Sequence, residues 1–359
     1  MNDSLTSKLS NLLSDSPPSD AALRELLVLL TGDSKPNINP LNELLRNLPV
    51  MQWNMKVHGY LIAKLLLGST SINDTPVTNK PFSPKWSASV SGDFLTQWFR
   101  DVCSELKIEP VFHRKIWELV YVVKNLDYFS KLSPGMSGLG FGCGTEPLPS
   151  FFAAKEISVV ATDLEPSDQS SKGWIATDQH LSDLQKIWKS ELCSQEQFNK
   201  NVSLSYVDMN NIPYALEGRF DFCWSICAFE HLGSIQKGLD FVKNSLKTLK
   251  PGGIAIHTTE FNYSSKNETI DNWGTVLFRE SDFLNLSNEL RALGYEVPDT
   301  DFSVGNTPID WFIDIPPYDW DKNHFQDNLP SLPHLKLTVD GFPSTCFGLV
   351  VRKPVDFAD

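Results

Sequence analysis

The residues best suited to chemistry fall in one stretch. It comprises a glycine-dense turn, Gly138-Leu-Gly140-Phe-Gly142-Cys-Gly144-Thr-Glu146-Pro147, an apolar run, Ile157-Ser-Val-Val-Ala161, and then Thr162-Asp163-Leu164-Glu165. Glycines at 142 and 144 leave the main chain bare, so backbone N–H groups can approach a ligand that any Cβ would push away. An acid about 20 residues beyond such a turn, at the end of a second strand, can accept both hydroxyls of a ribose. Strand, glycine turn, helix, strand and terminal acid together make a half-site for an adenosine.

Further titratable groups lie downstream. Glu230 and His231 are adjacent, just past the apolar run 220–227. A neutral imidazole there suits removal of a proton from an alcohol; the other reading is that the pair caps the next helix. His257 and Glu260 follow a later apolar run and are expected to share the cleft. With Glu230 and His231 they offer oxygen and nitrogen donors to a divalent cation, but the spacing specifies no metal and none is predicted. Arg114, in His113-Arg-Lys-Ile-Trp117, can meet a carboxylate through two parallel hydrogen bonds, or else lies on a solvated basic face. Arg279 and Trp311, with Asp310 and Tyr318 near the latter, are candidates for an acceptor pocket.

Strands must deliver these groups to a common edge. The pattern from residue 136 alternates candidate strands (136–141, 157–162, 202–207, 220–227 and 253–258) with helices, one of them spaced over 235–249 and stopped by Lys250-Pro-Gly-Gly253. Such alternation predicts an α/β fold, with right-handed crossovers, a doubly wound and mostly parallel sheet, and ligand at the carboxyl ends of its strands. A helix is expected over 280–293, ended by Gly294, and the runs 334–339 and 345–351 read as an antiparallel pair at one sheet edge. Between helix and pair sits an aromatic-rich insertion, about 303–333, long enough for a lid or substrate wall. Upstream, 1–92 reads as a helical N-terminal extension whose last part, 68–92, is a Ser, Thr, Asn and Pro-rich linker. Residues 93–132 read as a helical lead-in to a domain over 93–359.

With 359 residues, 41% apolar and 21% charged, the chain can bury a large core. A net charge of -13 argues against a surface built to neutralise phosphates, so nucleic acid is not an expected partner. The six cysteines have no CxxC pair and apolar neighbours, which predicts reduced core residues and a cytoplasmic setting. No signal peptide and no membrane span is read; the longest apolar run, 61–67, is short and contains Lys64. Oligomeric state is not legible.

The series Phe141-Gly-Cys-Gly-Thr145, Ala161-Thr-Asp163-Leu164, Val207-Asp208-Met209, Phe220 to Leu232 and Leu249-Lys-Pro-Gly-Gly253 resembles the class I S-adenosylmethionine-dependent methyltransferases. Five motifs stand in the expected order over roughly 135–260. More narrowly, His-Arg-Lys, Gly-Thr-Glu-Pro and His257-Thr-Thr-Glu260-Phe-Asn262 look like bacterial methyltransferases of glycan or secondary-metabolite pathways. The resemblance implies a Rossmann-like, seven-stranded sheet with a final antiparallel strand, S-adenosylmethionine as cofactor, and a small-molecule acceptor methylated on oxygen, such as a sugar or glycan precursor. It implies the methionine part over Gly142 and Gly144, its ribose on Asp163 and Leu164, the adenine at Asp208 and Met209, Ser225 beside the methionine group, and Arg114 at its carboxylate. Two positions depart from the family pattern. Gly140, expected among the cofactor-binding residues, stands where an acid is usual, and Glu146 stands at the third glycine; Glu146 or a residue of the preceding helix can serve the cofactor's ammonium. A degenerate methyltransferase fold used as a binding scaffold, or an NAD-dependent oxidoreductase sharing the glycine turn and acid, are the alternatives; Glu146 and Lys-Pro-Gly-Gly speak against the second.

Overall fold

A computed structural model describes residues 40–67, 72, 75–168, 172, 175, 180–316, 318 and 332–356. Leu23 to Leu30, a small part of the linker and part of the aromatic insertion, Trp320 included, lie outside the described residues. The chain divides into two units, Met1–Leu61 with Ile315–Pro330, and Ile62–Asp314 with Ser331–Asp359. In the first, helix α1 (Pro40–Leu67) buries Trp53, Lys56 and Tyr60 at helical spacing, and Lys56 Nζ donates to the Ile315 carbonyl at 3.3 Å.

The second unit is built on one sheet. Its strands are β1 (Trp86–Ala88), β2 (Ser137–Phe141), β3 (Ser158–Asp163), β4 (Val202–Tyr206), β5 (Phe220–Ile226), β6 (Leu249–Asn262), β7 (Thr300–Asp301), β8 (Lys336–Val339) and β9 (Phe342–Arg352). The order is β4-β3-β2-β5-β6-β9-β1-β7, with β8 paired to β9. Strands β4 to β6 along that path are parallel and β9 is antiparallel to β6. The doubly wound, mostly parallel α/β sheet is therefore present, with nine strands among the described residues where seven were expected. The surplus comes from short pieces whose pairing is tertiary. Within the stretch read as linker, β1 is anchored by Trp86, which is fully buried and donates its indole N–H to the Val350 carbonyl at 2.7 Å. Three residues flanked by Ser and Pro carry no period that a sequence reading can register.

The antiparallel pair β8–β9 forms as expected, around Asp340 and Gly341 at φ 47° and 82°, the left-handed geometry of a tight hairpin turn. It is not at the sheet edge, because β9 lies between β6 and β1. β6 also begins earlier than predicted, where Leu249 pairs with Phe220 of β5, and ends later, since β9 pairs with it over 254–262 and supplies ladder partners where the sequence alone suggested a loop.

Helices pack both faces. On one, α2 (Arg114–Tyr128) starts where His113 caps it by accepting from Lys115 N–H, and buries Trp117, Val120 and Leu126. On the other, α3 (Ile235–Ser245) is capped by Ser234. Successive residues of a strand point to opposite faces, so Thr258 and Glu260 of β6 meet α2 while His257 and Thr259 face the α3 side. Parity thus divides the polar groups of one strand between two separate environments.

Candidate functional site

A cleft of about 770 Å³ opens at the carboxyl ends of β2, β3 and β5 and beyond β4. Its volume lies within the usual range for a small-molecule or cofactor pocket. The floor is the glycine turn. Gly142 and Gly144 both adopt the left-handed region, at φ 57° and 52°. A Cβ on Gly142 would come within 2.9 Å of Ala228 Cβ, closer than real Cβ contacts, so this position keeps its backbone bare for steric reasons.

Asp163 ends β3 and lines the cleft, as does Leu164. One carboxylate oxygen accepts from its neighbour Leu164 N–H at 2.8 Å and the other from Leu181 N–H at 2.9 Å. These bonds fix the side chain, and each oxygen retains a second lone pair. Asp208 and Met209 follow β4 and form the opposite wall. Asp208 Oδ1 accepts from Asn210 N–H at 2.8 Å, and the Met209 sulfur would lie 3.5 Å from a Gly142 Cβ. Glu146 also lines the cleft and accepts from the Trp224 indole. Burial pushes its carboxyl up to about 8, outweighing the lowering effect of that hydrogen bond.

His231 stands at the mouth. Its Nδ1 lies 3.0 Å from the Gly274 carbonyl. A carbonyl can only accept, so Nδ1 carries the proton and Nε2 is the basic atom. Glu230 is buried beside it, with Oε1 4.0 Å from Nε2 and Oε2 accepting from Thr259 at 2.9 Å.

Other expected members are placed elsewhere. Gly140 does not line the cleft; a Cβ there would fall on Cys143 Sγ and the Trp224 ring, so the glycine serves packing. Ser225 is fully buried and bonded to His257 Nδ1 at 2.8 Å, pointing to the α3 side. His257 completes that chain through Nε2 and Ser245 Oγ at 2.9 Å, and burial lowers its pKa to about 3. His257 and Glu260 are three apart on one strand, so they face opposite sides and cannot share the cleft. The four-residue cation set Glu230, His231, His257 and Glu260 is accordingly not assembled.

Arg114 is nearly buried and ion-paired to Glu260, which makes it a structural pair beneath the cleft rather than a lining residue. Arg279 is committed to Asp282, closing the capping box of helix α4 (Glu280–Ala292). Trp311 ends the short helix α5 (Pro308–Trp311) with most of its surface exposed, and does not line the cleft.

Sequence reasoning missed Lys115, Leu119 and Cys227, all of which line the cleft. Lys115 and Leu119 are four apart on α2, a spacing that puts them on one face; recognising His113 as the cap would have set that phase. Cys227 has φ 43°, unusual for a residue with a side chain, where β5 turns out of the sheet.

A family model described as a methyltransferase domain matches residues 115–312, more than half of the chain. No curated protein matches. Among solved structures, the cyclase SpnF is 17% identical with TM-score 0.39, covering 65% of this chain and 80% of its own. A SAM-dependent methyltransferase from Aquifex aeolicus is 16% identical with TM-score 0.31, covering 64% and 88%. An S-adenosylmethionine-dependent methyltransferase from Mesorhizobium loti is 13% identical with TM-score 0.35, covering 64% and 96%. No described helix is long and apolar enough to cross a membrane.

Proposed function

Since this chain belongs to the methyltransferase-domain family and is an S-adenosylmethionine-dependent methyltransferase, we propose that its cleft holds that cofactor against Gly142 and Gly144. The methyl group goes to a hydroxyl of a small-molecule acceptor, such as a sugar or glycan precursor. The observation that carries this reading is a cleft whose floor is bare left-handed main chain and whose wall ends in Asp163. Asp163 accepts the ribose hydroxyls on its remaining lone pairs, Leu164 covers the sugar, and Asp208 with Met209 takes the adenine edge and face. Glu146 receives the cofactor's ammonium and gives up its proton as it does so. The bound cofactor supplies an electrophilic methyl on a sulfonium, so the protein's main tasks are alignment and exclusion of water.

His231 takes the acceptor's proton at Nε2, with Nδ1 held by Gly274 so that the ring presents the correct nitrogen. Glu230, 4.0 Å away, stabilises the imidazolium that results. Calorimetry with S-adenosylhomocysteine tests the cofactor half. Saturable binding is expected, with Asp163→Ala weaker by about 1.5 to 3 kcal/mol through loss of charge-assisted hydrogen bonds. Absence of binding, or an unchanged Asp163→Ala, removes that half. His231→Ala should lower turnover by about 10²-fold or more with cofactor affinity retained; equal turnover removes the base.

A further inference from the structure

Where α2 crosses β5, β6 and β9, Glu118, Cys227 and Cys346 converge. The two sulfurs are 3.8 Å apart and Glu118 Oε2 is 2.8 Å from Cys227 Sγ. One ligand atom from each residue falls within a sphere of mutual distances under 4.8 Å, and the same is true of Cys227, Glu230 and Glu260. All but Cys227 are buried, and Cys227 lines the cleft, so the cluster has an entry path. We propose that Glu118, Cys227 and Cys346 form a binding site for a soft divalent cation of the zinc class, open toward the cleft.

Two observations point this way. First, two thiolates on a tetrahedral zinc at about 2.3 Å are separated by about 3.8 Å, the edge of that tetrahedron, and the two sulfurs here stand at that separation.

Second, the buried charges leave a place for it. Glu118, Glu230 and Glu260 surround Cys227, and each has one buried carboxylate oxygen that accepts no hydrogen bond. Two cations face them: Lys115, whose Nζ is 3.4 Å from Glu118 Oε1, and Arg114, paired to Glu260 with Nη1 3.9 and 4.0 Å from the two sulfurs. A divalent cation that displaces two thiol protons leaves the net charge of the cluster as it was: M²⁺ enters and two H⁺ leave. Arg114 then balances the thiolates instead of being repelled by an uncompensated ion. Thr258 Oγ1 donates to Glu118 Oε2 at 2.5 Å and orients the carboxylate, as an outer-shell partner does. Sulfur donors favour zinc over magnesium or calcium.

The site adjoins the cleft but does not depend on what the cleft binds. The full chain, stripped of metal, is titrated with Zn²⁺ against a chromogenic chelator and separately loaded with Co²⁺. One zinc per chain is expected, with affinity rising about 100-fold per pH unit below the thiol pKa values as two protons are released. Co²⁺ should give a thiolate charge-transfer band and tetrahedral d–d bands. Cys227→Ser and Cys346→Ser should each reduce that band by about half or more and cost at least about 100-fold in zinc affinity. On the unmodified chain, zinc should shield Cys227 from alkylation, a measurement that needs no variant to fold. An octahedral cobalt spectrum without thiolate character, zinc affinity unchanged from the parent in both serine variants, or Cys227 alkylated at the same rate with and without zinc would each overturn the proposal. S-adenosylhomocysteine calorimetry on the same samples shows whether the cleft reading stands or falls independently.

Discussion

Protonation of His257 offers a direct test of its placement in the core. Ser245 Oγ already donates to the Val242 carbonyl at 2.7 Å, so toward His257 Nε2 it must accept. Nε2 therefore carries the proton and Nδ1 accepts from Ser225. Adding a second proton puts it against the Ser225 hydroxyl and a full charge into a dry core beside Phe229 and Phe241. Burial lowers the folded-state pKa to about 3, whereas an unfolded histidine titrates near 6.5. The folded pKa is the lower one, so the stability is present above about 6.5 and is lost as pH falls toward 3, at about 1.4 kcal/mol per unit. Between pH 7 and pH 5 that amounts to about 2 kcal/mol. The Gln amide offers an NH₂ donor and a carbonyl acceptor but does not titrate. Urea unfolding of the parent and of His257→Gln at both pH values should show the parent losing about 2 kcal/mol more than the variant. His113, held at about 4 mainly by burial and the neighbouring His334, contributes a similar slope to both proteins and cancels. Parallel acid slopes in the two proteins would refute the buried neutral tautomer. A variant that folds but no longer binds S-adenosylhomocysteine would refute the placement outside the cleft.

Gly142→Ala forces a left-handed residue and an overlap with Ala228, a penalty of about 1 to 2 kcal/mol from conformation alone; it should cost both stability in urea and affinity for S-adenosylhomocysteine, and unchanged affinity would take the turn out of the site. Glu146, with its carboxyl near 8, is mostly protonated at pH 7. Binding of an ammonium beside it should release close to one proton, measured by calorimetry in buffers of different ionisation enthalpy, and Glu146→Gln should abolish the release; buffer-independent heats in the parent would show that the ammonium lies elsewhere.

The chain alone determined its class of fold and the address of its cleft. Both are written in local pattern: apolar runs of strand length, a glycine turn that bars side chains at 142 and 144, an acid closing the next strand, and helix stops such as Gly294. These signals act within about 20 residues of one another, the range over which sequence spacing translates into geometry. What only the tertiary structure decided is which face each group meets and what stands opposite. Ser225, His257 and Glu260 lie on strands that a sequence reading can place, but strand parity sends the first two to α3 and the third to α2. Arg114 finds Glu260 across 146 residues and Cys227 finds Cys346 across 119. β1 became part of the sheet although three residues have no period of their own. Pairings across such separations are set by how layers pack and how much apolar surface they bury, and neither quantity is encoded in the spacing of any one segment.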